Sequence, residues 1–115
     1  MSAQVEMRRM GWVIGIRPEK IAEYKALHAA AWPEILARIS ACGIRNYTIY
    51  LREPENLLFG HYEYHGRDFQ ADMAKMAADE ATQRWWALTA PCQQPLSTCK
   101  EGEWWAPMVE VFHHD

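Results

Sequence analysis

The chain has 115 residues, 50% of them hydrophobic, with 12 basic against 15 acidic side chains and a formal net charge of −3. That length suits one compact domain spanning 1–115 and is short for two, and the composition favours a folded chain over a disordered one. A mildly acidic chain lacks the basic field that binds nucleic acid or an anionic membrane surface, and no apolar run approaches the ~20 residues needed to span a bilayer. The N-terminal "MSAQVEMRRMGWVIGI" has no apolar core with a small-residue cleavage site, so it does not read as a secretory signal and a cytoplasmic protein is expected.

Residues 8–16, "RRMGWVIGI", alternate so that Met10, Trp12, Ile14 and Ile16 share one side of a strand. Pro18 suits the first turn of a helix. Ile21, Tyr24, Leu27, His28, Ala31, Trp32 and Ile35 then recur at three- and four-residue spacing along one helical face. Pro33 interrupts that face, because it lacks an amide donor, crowds the carbonyl of Ala29 and turns Trp32 out of α geometry. One helix should end just after His28 and a second start near Pro33, with Gly43 as a C-terminal stop. "IRNYTIYL" (44–51) and "LLFGHYEY" (57–64) read as strands joined by the turn "REPEN" (52–56), making a hairpin. Residues 67–78 and 80–88 read as helical, 89–105 ("TAPCQQPLSTCKEGEWW") as mainly loop, and 106–114 ("APMVEVFHH") as a last strand. The order β–α–β–β–α–β predicts an α+β, ferredoxin-like fold, an antiparallel sheet with helices on one face. Strands carrying Trp12, Tyr47, Ile49, Phe59 and Phe112 hold too much apolar surface for the other face to stay bare, so a homodimer is expected.

Tyr24 and His28, four residues apart, lie one above the other on a helix. The Pro33 break leaves His28 beside a helix C-terminus, where the dipole favours a cation. Imidazole is the side chain suited to reversible proton transfer near neutrality, although a hydrogen-bonded histidine beside a kink has the same sequence pattern. In "QRWW" (83–86) the adjacent tryptophans turn about 100° apart. One can enter the core while the other faces a cleft, where flat aromatic surface suits the C–H face of a sugar ring; a split between core and subunit interface is the alternative. Tyr47 shares a side with Ile49, and its hydroxyl can meet a substrate hydroxyl or its ring can pack across the strands. Cys42, Cys92 and Cys99 have no zinc-like spacing and read as reduced thiols. His61, His65 and the terminal His113-His114-Asp115 match no metal-site spacing, and neither a phosphate-cradling glycine loop nor a serine nucleophile motif is present, so no metal or cofactor is expected.

Taken together, "EYKALHAAAWPEI" (23–35), "NYTIYL" (46–51), "NLLFG" (56–60), "QRWW" (83–86) and "EVF" (110–112) make the chain resemble the L-rhamnose mutarotase family, in the same order and over nearly the whole length. The resemblance implies a dimeric ferredoxin-like fold of the α/β-barrel type. It also implies cofactor-free interconversion of the α and β anomers of a 6-deoxy-L-hexose, L-rhamnose or L-fucose. On it, His28 matches the family's catalytic proton donor, Tyr24 and Tyr47 its substrate-contacting tyrosines, and Trp85 with Trp86 the tryptophan pair at the sugar site. The acid protonates the ring oxygen while a base takes the anomeric hydroxyl proton; Glu34 and Glu110 are candidates for that base if the fold brings them near. The chain departs from the family at Ala29-Ala30, in a longer 65–79 segment and in the 89–105 loop, and loops tune specificity on a fixed scaffold. Two other functions fit the same residues: a cofactor-free ferredoxin-like monooxygenase, since fold alone does not fix chemistry, and a sugar-binding module without catalysis.

Overall fold

In the computed structural model the described residues are 7–115; residues 1–6, where the stretch read as lacking a secretory signal begins, lie outside them. The elements follow the order β1 (Arg8–Ile16), α1 (Ile21–Ala29), α2 (Pro33–Ala41), β2 (Ile44–Arg52), β3 (Leu57–Tyr64), α3 (Phe69–Ala78), α4 (Glu80–Thr89), β4 (Gln93–Gln94) and β5 (Ala106–Met108). Single turns of 3-10 helix lie at Pro18–Lys20 and Ala90–Cys92. The sheet is antiparallel, in the order β2-β3-β1-β4 with β5 also on β1, which is the ferredoxin-like arrangement. No helix among the described residues is long and apolar enough to cross a membrane.

Each helix pair has a local cause. The chain leaves α geometry at Ala30 (φ −124°, ψ 42°), and Trp32 is extended (φ −68°, ψ 136°) as the residue before a proline prefers. Pro33 then opens α2 at a position where no amide donor is needed. Gly43 ends that crossover at φ +83°, a conformation that costs other residues, and a Cβ there would sit 2.9 Å from the Gly66 nitrogen. Asp68 caps α3 by accepting from the Ala71 amide at 3.1 Å. Asp79 caps α4 by accepting from the Thr82 amide at 2.9 Å and its hydroxyl at 2.8 Å. Those caps and Arg38, 3.2 Å away on α2, hold the Asp79 carboxyl below the usual carboxylate range, the Thr82 bonds contributing most.

A bulge sets the inner face of β2. The pairs Ile44↔Tyr64 and Arg45↔Glu63 give way to Thr48↔His61, so β2 advances three residues while β3 advances two. Asn46, at φ 52°, takes up the extra residue. Side-chain parity therefore changes across the bulge: Ile44 is buried before it, and Ile49 and Leu51 turn toward the core after it. Strict alternation places Tyr47 with Ile49 but misses Ile44, which the bulge returns to the same side.

The far edge of the sheet corrects the sequence reading. The fourth-strand position is shared by β4, inside the segment read as loop, and by β5, which stops at Met108. The remaining 109–114 of the expected strand has no strand pairing among the described residues, and Val109, Val111 and Phe112 are 88%, 94% and 82% exposed. Alternating apolar residues describe an extended segment whether or not a partner covers it, and Phe112 pairs with no strand among the described residues. What holds the start of the segment is a side-chain ion pair, Arg9 Nε to Glu110 Oε1 at 2.6 Å.

The buried side chains fall into two groups on the helix-covered face. One joins Ile14, Ile16, Leu58 and Cys92 with Tyr24 of α1; the other joins Cys42, Ile44, Tyr62 and Tyr64 with Met76 of α3. The space between them is incompletely filled.

Candidate active site

Two adjoining hollows of about 710 and 660 Å³ lie under the helices, and Tyr24, His28, Tyr47 and Trp85 line both. Trp86 lines the second only. The fold thus gathers all five sequence-predicted residues around one space.

His28 lies in the last turn of α1 with its ring against Tyr24 (centroids 4.2 Å apart) and edge-on to Trp85 (5.3 Å, 72°). Its Nδ1 lies 2.8 Å from the Tyr24 carbonyl oxygen. A carbonyl only accepts, so Nδ1 carries the hydrogen, and Nε2 is the nitrogen left to exchange a proton with a ligand. Trp85 is buried at 7% exposure and also meets Trp32 edge-on at 5.3 Å, whereas Trp86 is 44% exposed. The pair therefore divides as the helical step requires, Trp85 walling the site and Trp86 standing at its rim.

Tyr24 is buried, and its hydroxyl accepts from Gln93 Nε2 at 3.2 Å. Gln93, buried in β4, in turn accepts at Oε1 from the Trp104 indole N–H at 2.7 Å. Desolvation pushes the Tyr24 phenol up to about 12, so it stays neutral through the physiological range. Tyr47 keeps 43% of its surface accessible, yet desolvation, with Tyr24 and Tyr62 nearby, raises its hydroxyl pKa too. Its ring meets Tyr62 at 5.3 Å across the bulge.

The charged groups are sparse and placed otherwise than the sequence suggested. Glu34 is exposed and lines neither hollow. Glu110 is bound to Arg9 and lies away from both. The carboxylate that does line the second hollow is Glu103, whose Oε1 accepts from the Lys100 amide at 2.9 Å. Glu103, Gln93 and Trp104 all come from the segment read as loop, and nothing in their spacing marks them. Cys42 and Cys92 are buried, and desolvation raises both thiol pKa values, which disfavours a nucleophilic role. His65 pairs with Glu63 at 2.9 Å and His113 with Asp115 at 2.8 Å, outside the hollows.

The family model described as L-rhamnose mutarotase matches residues 9–114. The L-rhamnose mutarotase of Oceanobacillus iheyensis is 32% identical over 95% of this chain and 100% of its own length. That of Yersinia pestis is 36% identical over 92% of this chain and 81% of its own. Among solved structures, the crystal structure of L-rhamnose mutarotase from Formosa agariphila is similar at a TM-score of 0.72 and 22% identity, covering 94% of this chain and 99% of that one. A candidate antibiotic biosynthesis monooxygenase from Nitrosomonas europaea is similar at a TM-score of 0.59 and 13% identity, covering 96% and 93%. At those identities the two structural likenesses speak for the fold alone.

Proposed function

The chain belongs to the L-rhamnose mutarotase family, isomerases that interconvert sugar anomers, and on that premise we propose that it opens and recloses the ring of a 6-deoxy-L-hexose, L-rhamnose before L-fucose. The observation that carries this reading is the anchored imidazole: the Tyr24 carbonyl holds Nδ1–H, and Nε2 is left for the sugar. The cationic ring donates its Nε2 proton to the ring oxygen, the C1–O5 bond breaks, and the C1 hydroxyl loses its proton as the aldehyde forms. Glu103 is the proposed acceptor of that proton, being the carboxylate that lines the hollow. Rotation about C1–C2 and reclosure on the other face return both protons and give the other anomer. Trp85 offers a flat wall to the sugar's C–H face, and Tyr24 and Tyr47 offer hydroxyls to its oxygens.

The working unit in this proposal is a homodimer. Its support is the exposed apolar segment Val109–Phe112 together with Tyr50, 64% exposed on the sheet.

Anomer exchange measured by NMR saturation transfer tests the reading. L-rhamnose should exchange faster than L-fucose, and His28→Ala should lose on the order of 10²–10⁴-fold, the usual worth of a general acid. Glu103→Gln should lose a comparable factor. A His28→Ala protein with the wild-type rate removes His28 from the reaction, and an unaccelerated exchange for both sugars removes the reading itself.

A further inference from the structure

Gln93 is 6% exposed and held in register by the pairing of β4 with β1, Ile16 opposite Gln93. Its amide has only one orientation compatible with its neighbours. The indole N–H of Trp104 can donate but never accept, so the atom 2.7 Å from it must be the amide oxygen. The amide nitrogen therefore faces Tyr24, 3.2 Å away, and the phenol oxygen accepts. A hydroxyl has one proton; once its oxygen receives the amide N–H, that proton must point elsewhere. Tyr24 lines both hollows beside His28 and Tyr47, so the residue whose proton is left unassigned borders the space proposed for the sugar.

We infer that Gln93 is a positioning residue, and Trp104 its anchor, which together commit the Tyr24 hydroxyl to donate to a substrate oxygen rather than to the protein. The inference rests on the mutarotase reading. A phenol that accepts one hydrogen bond is polarised into a better donor of the next. The arrangement also gives the 95–105 loop a chemical link to α1, since Trp104 stands on that loop 45% exposed while its indole nitrogen reaches Gln93. None of this needs Gln93 to touch the sugar.

The decisive variant is Gln93→Glu, nearly the same in shape. Ionised, the new carboxylate accepts from both Trp104 and Tyr24, and so turns the Tyr24 proton away from the site. Protonated, its carbonyl accepts from Trp104 while its O–H donates to Tyr24, which restores the wild-type polarity. The titratable and charged groups around that position are Tyr24 and His28 of α1, Tyr47 of β2, Tyr62 of β3, Cys92 with its partner Glu23 and the Lys20 paired to Glu23, and Glu103 of the loop. All of them are present in the wild type too, so the quantity to read is the ratio of variant to wild-type kcat/KM for L-rhamnose across pH. The ratio should fall about tenfold at neutral pH, one well-made hydrogen bond, and climb toward one as the pH drops through the carboxyl titration. A ratio that is flat with pH, or near one throughout, overturns the inference. Trp104→Phe keeps the ring and removes the N–H, and serves if Gln93→Glu does not fold. It should lower kcat/KM by about threefold through loss of the amide's anchor, and wild-type kcat/KM in it overturns the inference. A wild-type protein that exchanges no aldose anomers overturns the mutarotase reading and this inference with it, whereas an active wild type with a flat ratio overturns this inference alone.

Discussion

Tyr24 joins the core to the candidate site through separate atoms of one residue. Its ring packs in the cluster with Ile14 and Leu58, its carbonyl anchors His28, and its hydroxyl holds the Gln93 amide. Tyr24→Phe keeps the first two and deletes the third, leaving the buried Gln93 Nε2 without its partner. The expected cost is about 1–3 kcal/mol, the penalty for an unsatisfied buried donor, read from denaturant unfolding. The same variant has a pH signature. The phenol's pKa rises on folding from 10.0 to about 12, chiefly through desolvation. Between those values the folded state binds more protons than the unfolded one, so wild-type stability falls as pH rises through that window. Tyr64 shares the effect, its phenol also raised to about 12 by burial and then by its bond to Asp72. Removing the Tyr24 hydroxyl should therefore make the alkaline loss shallower without abolishing it. An unchanged slope would mean that the Tyr24 phenol is not desolvated on folding.

Among the elements, β2 shows where periodicity ceases to be a guide. The first three strands, the hairpin and the helix break at Pro33 could be read from alternation, β-branched residues and the geometry that a proline imposes on Trp32. The bulge could not, because Asn46 looks like any polar residue on an exposed strand side until its φ of 52° is known. Helical spacing puts Tyr24 and His28 on one face of α1, and alternation puts Tyr47 beside Ile49, but spacing left these residues and Trp85 open to a core or interface reading; the family resemblance is what singled them out. Gln93, Trp104 and Glu103 were not legible, since a loop has no period and its side chains meet the site only through tertiary packing. The bulge itself makes a prediction. A left-handed backbone costs an alanine roughly 1–2 kcal/mol, so Asn46→Ala should lower the melting temperature and raise KM as Tyr47 loses its placement. Asn46→Gly, at ease with positive φ, should keep KM near the wild-type value. Equal KM values in the two variants would show that the bulge does not position Tyr47.

At the scale of the whole molecule, the sheet is finished on the helix side and unfinished beyond Met108. Val109 and Val111 flank Glu110, whose pKa is lowered first by its bond to Arg9, so the segment is tethered by charge while its apolar side chains face outward. Such exposure costs about 25 cal/mol per Å² of apolar area relative to burial. A second copy of the chain is the proposed cover, and a twofold pairing would bury both copies of the segment in the same manner. Val111→Ser combined with Phe112→Ser removes apolar surface from residues that are exposed and pair with no strand among the described residues, so each subunit's fold should survive. Sedimentation velocity should show the wild type at twice the chain mass, and the double variant shifted toward a single chain at equal concentration with unchanged circular dichroism. Anomer exchange by the dissociated variant then reports whether each hollow is complete within one subunit: every residue proposed to act on the sugar comes from one chain, so activity should persist. A wild type that sediments as a single chain at all concentrations tested removes the dimer from the proposal and leaves the apolar segment to be covered by something other than a second copy.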